Sequence, residues 1–134
     1  LKEGKAWNKF IQLVNTQKGD ISYIENPEKL PCGAIKEEIK AEIDGFLSQV
    51  NAQMVGEAAL LLGAGREKKD APIDRSVGIL VHHKVGDTVR RGDILFTVSA
   101  NDKQRLEQAK IKLRSSIHIS QERCMPLPLF YDVL

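Results

Sequence analysis

Few residues of this chain could do chemistry: two glycines and an arginine in Leu62-Gly63-Ala64-Gly65-Arg66, adjacent His82 and His83, a separate His118, and Lys103 just after a turn. Glycines let backbone N–H groups approach an anion, and a neighbouring arginine adds a planar fork of donors, so the first group invites a phosphate-cradle reading. The polarity opposes it. These glycines follow an apolar helical run from Met54 to Leu62, so an anion there would meet carbonyl oxygens and the negative end of the helix dipole. The Gly-Lys-Ser/Thr text of a nucleotide loop is also missing. A helix stop is the better account of Gly63 and Gly65, and Arg66 stays a candidate for contact with another domain.

Adjacent residues on a strand point to opposite faces, so His82 and His83 reach one metal ion only through a bulge. Cys32 and Cys124 stand alone, with no thiol or histidine at metal spacing, and read as reduced thiols. His118 has no evident nucleophile or carboxylate partner, and no Gly-x-Ser-x-Gly, His-Glu-x-x-His or Cys-x-x-Cys text occurs. The sequence therefore assigns no catalytic residue, no metal ligand and no cofactor to this chain. One sharper alternative is a lipoyl- or biotinyl-like carrier, because Gly92-Asp93-Ile94-Leu95 followed by Asn101-Asp102-Lys103 looks like the turn that presents a modified lysine. Against it, Leu106, Ala109 and Leu113 continue at helical spacing, which makes Lys103 a lysine at a helix N-terminus. A non-catalytic adaptor built on the same scaffold is a third reading.

The elements that position these residues follow from local pattern. Ala6, Trp7, Phe10, Ile11, Leu13 and Val14 form a helical stripe over Lys5 to Thr16, ended by Gly19-Asp20. Asn26-Pro27 and Leu30-Pro31 mark Ile21 to Gly33 as connector. Ile35, Ile39, Ala41 and Ile43 alternate with charged residues as a half-buried strand does, and Gly45 breaks the pattern, so that two strands meet at a turn before Val50. Asn51 caps the helix to Leu62. After the polar loop 66–74, three strands are expected at Gly78 to His82, around Val89 and at Ile94 to Val98, joined by Gly86-Asp87 and Gly92-Asp93 turns. Leu106, Ala109, Leu113 and Ile117 predict a last helix capped by Asn101 or Asp102, and Pro126 and Pro128 keep the tail from Leu127 to Leu134 extended.

The 134 residues, 42% hydrophobic and 28% charged, suit one globular domain of ordinary composition. A net charge of +2 favours neither nucleic acid nor a membrane surface as partner; Lys103 to Arg123 is locally basic, and Arg90-Arg91 with the lysines over Gln104 to Arg114 read as a solvated face. Apolar runs such as Ala58 to Leu62 fall far short of the roughly 20 residues a membrane span needs, and no signal peptide is visible. A cytoplasmic location is expected. The chain opens on Leu1 with no initiator methionine, and the expectation is a piece of something larger.

Gly4-Lys5-Ala6 with Phe10, Gln17-Lys18-Gly19-Asp20, Leu62-Gly63-Ala64-Gly65-Arg66, Val77-Gly78, Lys84-Val85-Gly86-Asp87, Gly92-Asp93 and Pro128-Leu129-Phe130-Tyr131 together resemble, in order, the C-terminal domain of pyrimidine-nucleoside phosphorylases, thymidine phosphorylases included. Lys18 departs from the pattern, standing where a second glycine usually follows glutamine, and Ser99 stands where a histidine often precedes the Asn101 position. The resemblance implies an α+β fold: an α/β hammerhead with a barrel-sandwich hybrid at 34–134, preceded by an N-terminal helix and connector at 1–33. It further implies a cytoplasmic, homodimeric parent that cleaves uridine or thymidine with phosphate. In that family the phosphate- and base-binding groups lie in helical and large α/β regions upstream, so none carries over onto this chain. Gly63, Gly65 and Arg66 are the expected contact to those regions.

Overall fold

The N-terminal stripe forms helix α1, Lys5–Thr16, over the predicted span. The computed structural model describes residues 4–66 and 68–128, in two compact units, Leu1–Pro31 and Cys32–Leu134. In the first unit, α1 stops where Lys18 N–H bonds Asn15 O and Gly19 N–H bonds Val14 O, both at 2.9 Å, with Lys18 at φ 57. That is a Schellman stop with lysine in the left-handed position glycine favours. The expected bare connector is corrected in part. It holds a short helix α2, Ser22–Glu25, begun as Asp20 Oδ1 accepts Ser22 N–H (2.8 Å), and a 3₁₀ turn at Pro27–Lys29. Proline at the first position of that turn supplies the φ it needs without wasting a donor.

The second unit contains two three-stranded antiparallel sheets. Its elements run β1 (Ile35–Lys40), β2 (Gly45–Val50), α3 (Ala52–Leu62), β3 (Gly78–Val81), β4 (Thr88–Val89), β5 (Ile94–Ala100), α4 (Lys103–Ser115) and β6 (Ile117–Ser120). The strand orders are β1-β5-β3 and β4-β2-β6, and neither sheet closes into a barrel among the described residues. β1 and β2, read from sequence as strands meeting at a turn, thus belong to different sheets, and β4 leaves its sequence neighbours to pair with β2. The Gly-Asp turns explain this. In each, the aspartate carboxylate accepts an N–H three residues back, Lys84 for Asp87 (2.9 Å) and Arg90 for Asp93 (2.8 Å), and the glycine sits at φ 95. Both turns then dock on the β1–β2 segment: Gly86 N–H to Leu47 O (2.8 Å) and Gly92 N–H to Ala41 O (2.9 Å).

The helical stripe ending at Ile117 also needs correction. Leu106, Ala109 and Leu113 are buried on α4, but Ile117 opens β6. Ser116 closes the last turn of α4 through its hydroxyl on Leu113 O (2.7 Å), and its own carbonyl accepts Asn51 N–H (2.8 Å), which leads the chain alongside β2. Residues 129–134 of the expected extended tail lie outside the described residues.

The core gathers around β5, buried along almost its whole length, with Phe96 and Val98 at its centre. Helix α3 packs against α4, Ala58 and Leu62 joining Leu106, Ala109 and Leu113 in that core. β1 alternates as predicted as far as Lys40, where the strand ends, so that Ile43, expected in the same half-buried alternation, lies beyond it and is exposed; Glu37, on the same face as Ile35 and Ile39, meets Lys110 of α4 at 2.7 Å. The hydrogen bonds that Lys110 donates, to Glu107 first and Glu37 second, raise the pKa of its ammonium above the ordinary lysine value. No helix among the described residues is long and apolar enough to cross a membrane.

Candidate functional site

Asn51 opens α3 by accepting Met54 N–H on its side chain (3.1 Å), so the helix starts at Ala52, slightly before the predicted Met54. At the other end Gly63 N–H bonds Leu60 O (2.9 Å) and Ala64 N–H bonds Ala59 O (3.0 Å), with Gly63 at φ 101. The glycine turn is a helix stop, as the sequence predicts, and the N–H groups of Gly63 and Ala64 are spent on the carbonyls of the last turn instead of facing an anion. Gly65 lies against the helix it follows: a Cβ there would sit 2.9 Å from Leu60 Cδ1. Arg66 is exposed and makes no ion pair with a described residue.

The loop that Arg66 begins is closed at its far end. Asp74 N–H returns to Gly63 O (2.9 Å). Oδ1 of Asp74 accepts the Ser76 hydroxyl (2.6 Å) and the Ser76 N–H (2.9 Å), while Oδ2 accepts Asn101 Nδ2 (2.7 Å). Asn101 also donates to Ser76 Oγ (2.8 Å) and accepts Ala34 N–H on Oδ1 (2.9 Å). These donors, the Ser76 hydroxyl first, hold the Asp74 carboxyl below the usual carboxylate range. One asparagine therefore joins the start of β1, the end of β5 and the return of the loop. An open cleft of about 430 Å³ lies beside it, lined by Leu62, Gly63, Ile73, Asp74, Asn101 and Arg105.

Sequence reasoning missed this cluster. It offered Asn101 as one of two helix caps, and Asp102 takes that role by accepting Arg105 N–H (2.9 Å). The local signal was present in Asp74-Arg75-Ser76, the spacing of an aspartate that bonds its own backbone two residues on. The partner on β5 has no local signal.

The remaining candidates are separated. His82 Nε2 meets Thr97 Oγ1 at 2.8 Å, and His83 Nδ1 lies 3.7 Å from Asp87 Oδ2, so the adjacent imidazoles serve different neighbours. No group of three metal-ligating side chains gathers among the described residues. His118 is corrected: it does have a hydroxyl partner, Ser48, with Oγ 2.8 Å from Nδ1. The same hydroxyl lies 3.0 Å from the His118 carbonyl oxygen, so two acceptors compete for its one proton and the tautomer of the imidazole sets the direction of the Ser48–His118 bond. Lys103 is the exposed first residue of α4, not the tip of a hairpin, which is the helix-terminus reading and not the carrier geometry.

Fold and cluster together define an α+β domain that fixes a long loop between a helix stop and a strand end. The family model for the pyrimidine nucleoside phosphorylase C-terminal domain matches residues 46–120, and the chain belongs to that family. It is 39% identical over 122 residues to a pyrimidine-nucleoside phosphorylase of Staphylococcus epidermidis, covering 91% of this chain and 28% of that protein. The Geobacillus stearothermophilus enzyme of the same name is 38% identical over 132 residues, 98% of this chain and 30% of the relative. The Bacillus subtilis enzyme is 39% identical over 126 residues, 94% and 29% respectively. The chain thus spans less than a third of the length of these relatives.

Proposed function

We propose that this domain completes a cytoplasmic, homodimeric pentosyltransferase that breaks the C1′–N bond of uridine or thymidine and forms a C1′–O bond to inorganic phosphate. The products are the free base, which takes up a proton, and ribose or deoxyribose 1-phosphate. The observation that carries the proposal is identity of 36–39% to enzymes named pyrimidine-nucleoside phosphorylase over 91–98% of the chain. Such a reaction needs an anion clamp and donors aimed at the leaving base. We place both in the upstream helical and α/β regions, with no catalytic residue on these 134 positions. Residues 34–134 form the C-terminal domain, in which α3 is the arm of an α/β hammerhead and the two small sheets form a barrel-sandwich hybrid. Its role is to complete the large lobe whose movement opens and closes the cleft.

Gly63, Gly65 and Arg66 supply the contact to the rest of the enzyme. The support is physical: an exposed guanidinium with no ion pair among the described residues begins a loop whose return is pinned at Asp74 to the Gly63 stop. The test is Arg66→Ala in the complete enzyme, with kcat and KM measured for phosphorolysis of uridine and thymidine. The expected result is reduced turnover with the domain still folded. Unchanged kcat and KM remove the role of Arg66, absence of turnover by complete wild-type protein removes the nucleoside reading, and turnover by the 134-residue chain alone overturns the location of the site.

A further inference from the structure

Helix α1 carries more apolar surface than its own unit covers. At 3.6 residues per turn, Ile11, Trp7, Val14, Phe10 and Leu13 follow one another around a single apolar stripe. Ile11 and Val14 are half-buried, and the chain folds back so closely that a Cβ on Gly19 would lie 2.7 Å from Val14 Cγ1. The rest is open. Trp7, Phe10 and Leu13 are 53%, 45% and 56% exposed, and the two rings stand 6.0 Å apart. On the opposite face Lys9 bonds Gln12 Oε1 (3.0 Å) and Thr16 bonds Gln12 O (2.8 Å), so the polar side is satisfied within the helix. A helix of this length that buries none of its residues is marginal in water without a partner for its apolar face.

We infer that the Trp7-Phe10-Leu13 face docks against the polypeptide that precedes it, making α1 an element of the upstream lobe; this rests on the phosphorylase reading above. Two observations select that occupant. The family match begins at residue 46, so α1 lies on the N-terminal side of the C-terminal domain. The alignment with the Geobacillus relative covers 98% of this chain, α1 included, yet 30% of that protein, so the relative carries the helix beside a much longer stretch of additional chain. A second copy of this chain fits less well. Three side chains on one short helix bury far less than the roughly 1,200–2,000 Å² of a stable association. Covalent continuity removes that requirement by raising the effective concentration of the two surfaces.

Trp7 is the only tryptophan of the chain and reports on its own face. In the 134-residue chain its emission and acrylamide quenching are measured directly. In the complete enzyme they are taken as the difference between wild type and Trp7→Phe, which isolates this indole from any others. The expected result is a blue-shifted difference spectrum and a quenching constant several-fold lower in the complete enzyme. Equal quenching in the two proteins overturns the inference. So does a blue shift in the short chain that grows with its concentration, which would assign the face to a second copy. Phosphorolysis by the same wild-type preparation separates the two readings: turnover with an open Trp7 sinks the docking alone, and a covered Trp7 without turnover sinks the nucleoside reading while supporting the docking.

Discussion

Adding one methyl group at Gly56 and at Gly63 is expected to move stability in opposite directions, although both glycines belong to the same helical stretch. Gly56 is an exposed interior position of α3, and a Cβ built there meets nothing within 4 Å. Gly56→Ala therefore gains the helix propensity that glycine lacks, about 0.8–1 kcal/mol. At Gly63 there is also room, with the nearest atoms, Arg105 Nη1 and Asp74 Cβ, at 3.6 and 3.7 Å. The obstacle is conformational: φ is 101, where an L side chain crowds its own carbonyl at a cost of about 1–2 kcal/mol. Relieving the strain would rotate Gly63 O away from Asp74 N–H and release the loop, so the cost cannot be avoided locally. For a domain of about 100 residues, 1 kcal/mol shifts Tm by roughly 4–8 °C. Thermal unfolding of the chain followed by circular dichroism should thus place Gly56→Ala about 4–8 °C above wild type and Gly63→Ala about 4–15 °C below it. Shifts of the same sign for both variants would refute the assignment of Gly63 as a left-handed helix stop.

Lys18→Gly should strengthen α1, since the left-handed φ of 57 costs a lysine more than a glycine. A gain of about 0.5–1 kcal/mol would slow amide hydrogen exchange across the helix about two- to fivefold, and unchanged exchange would contradict the strain at Lys18. Asn101→Ala severs the bonds to Ala34, Asp74 and Ser76 together. It should lower stability by about 1–2 kcal/mol, seen as a lower urea midpoint at unchanged slope, and an unaltered midpoint would show that water replaces those bonds without loss.

What was legible in the sequence is what local chemistry decides. The stripe from Ala6 to Val14, the Asn51 cap, the Gly63 stop and the alternation from Ile35 to Ile39 each settle an element from a few neighbouring residues, and the structure keeps all four. β6 was lost because Ile117 falls four residues after Leu113 and prolongs the helical spacing, while the partner that makes it a strand, β2, lies about 70 residues away in sequence. The three strands β3, β4 and β5 were read at their places, but not that β4 pairs with β2 in the other sheet. The two Gly-Asp turns were recognisable, but not the carbonyls of Ala41 and Leu47 on which they dock. At the candidate site, Gly63 was readable from its own type and position, whereas the Asp74-Ser76-Asn101 anchor depends on a contact across 27 residues that no local pattern encodes.

The interleaving of the two sheets constrains how this domain can be cut or inherited. A piece starting at Phe46, where the family match begins, lacks β1 and bares a long apolar flank of β5 from Ile94 to Ala100, a template for pairing with foreign strands. Stopping before Ile117 strips the other sheet of β6 in the same way. Each sheet waits for chain from both ends of the domain, so its halves cannot ripen separately, and the loop-closure entropy falls due before most of the reward. Both sheets are complete only in the whole stretch from Ile35 to Ser120.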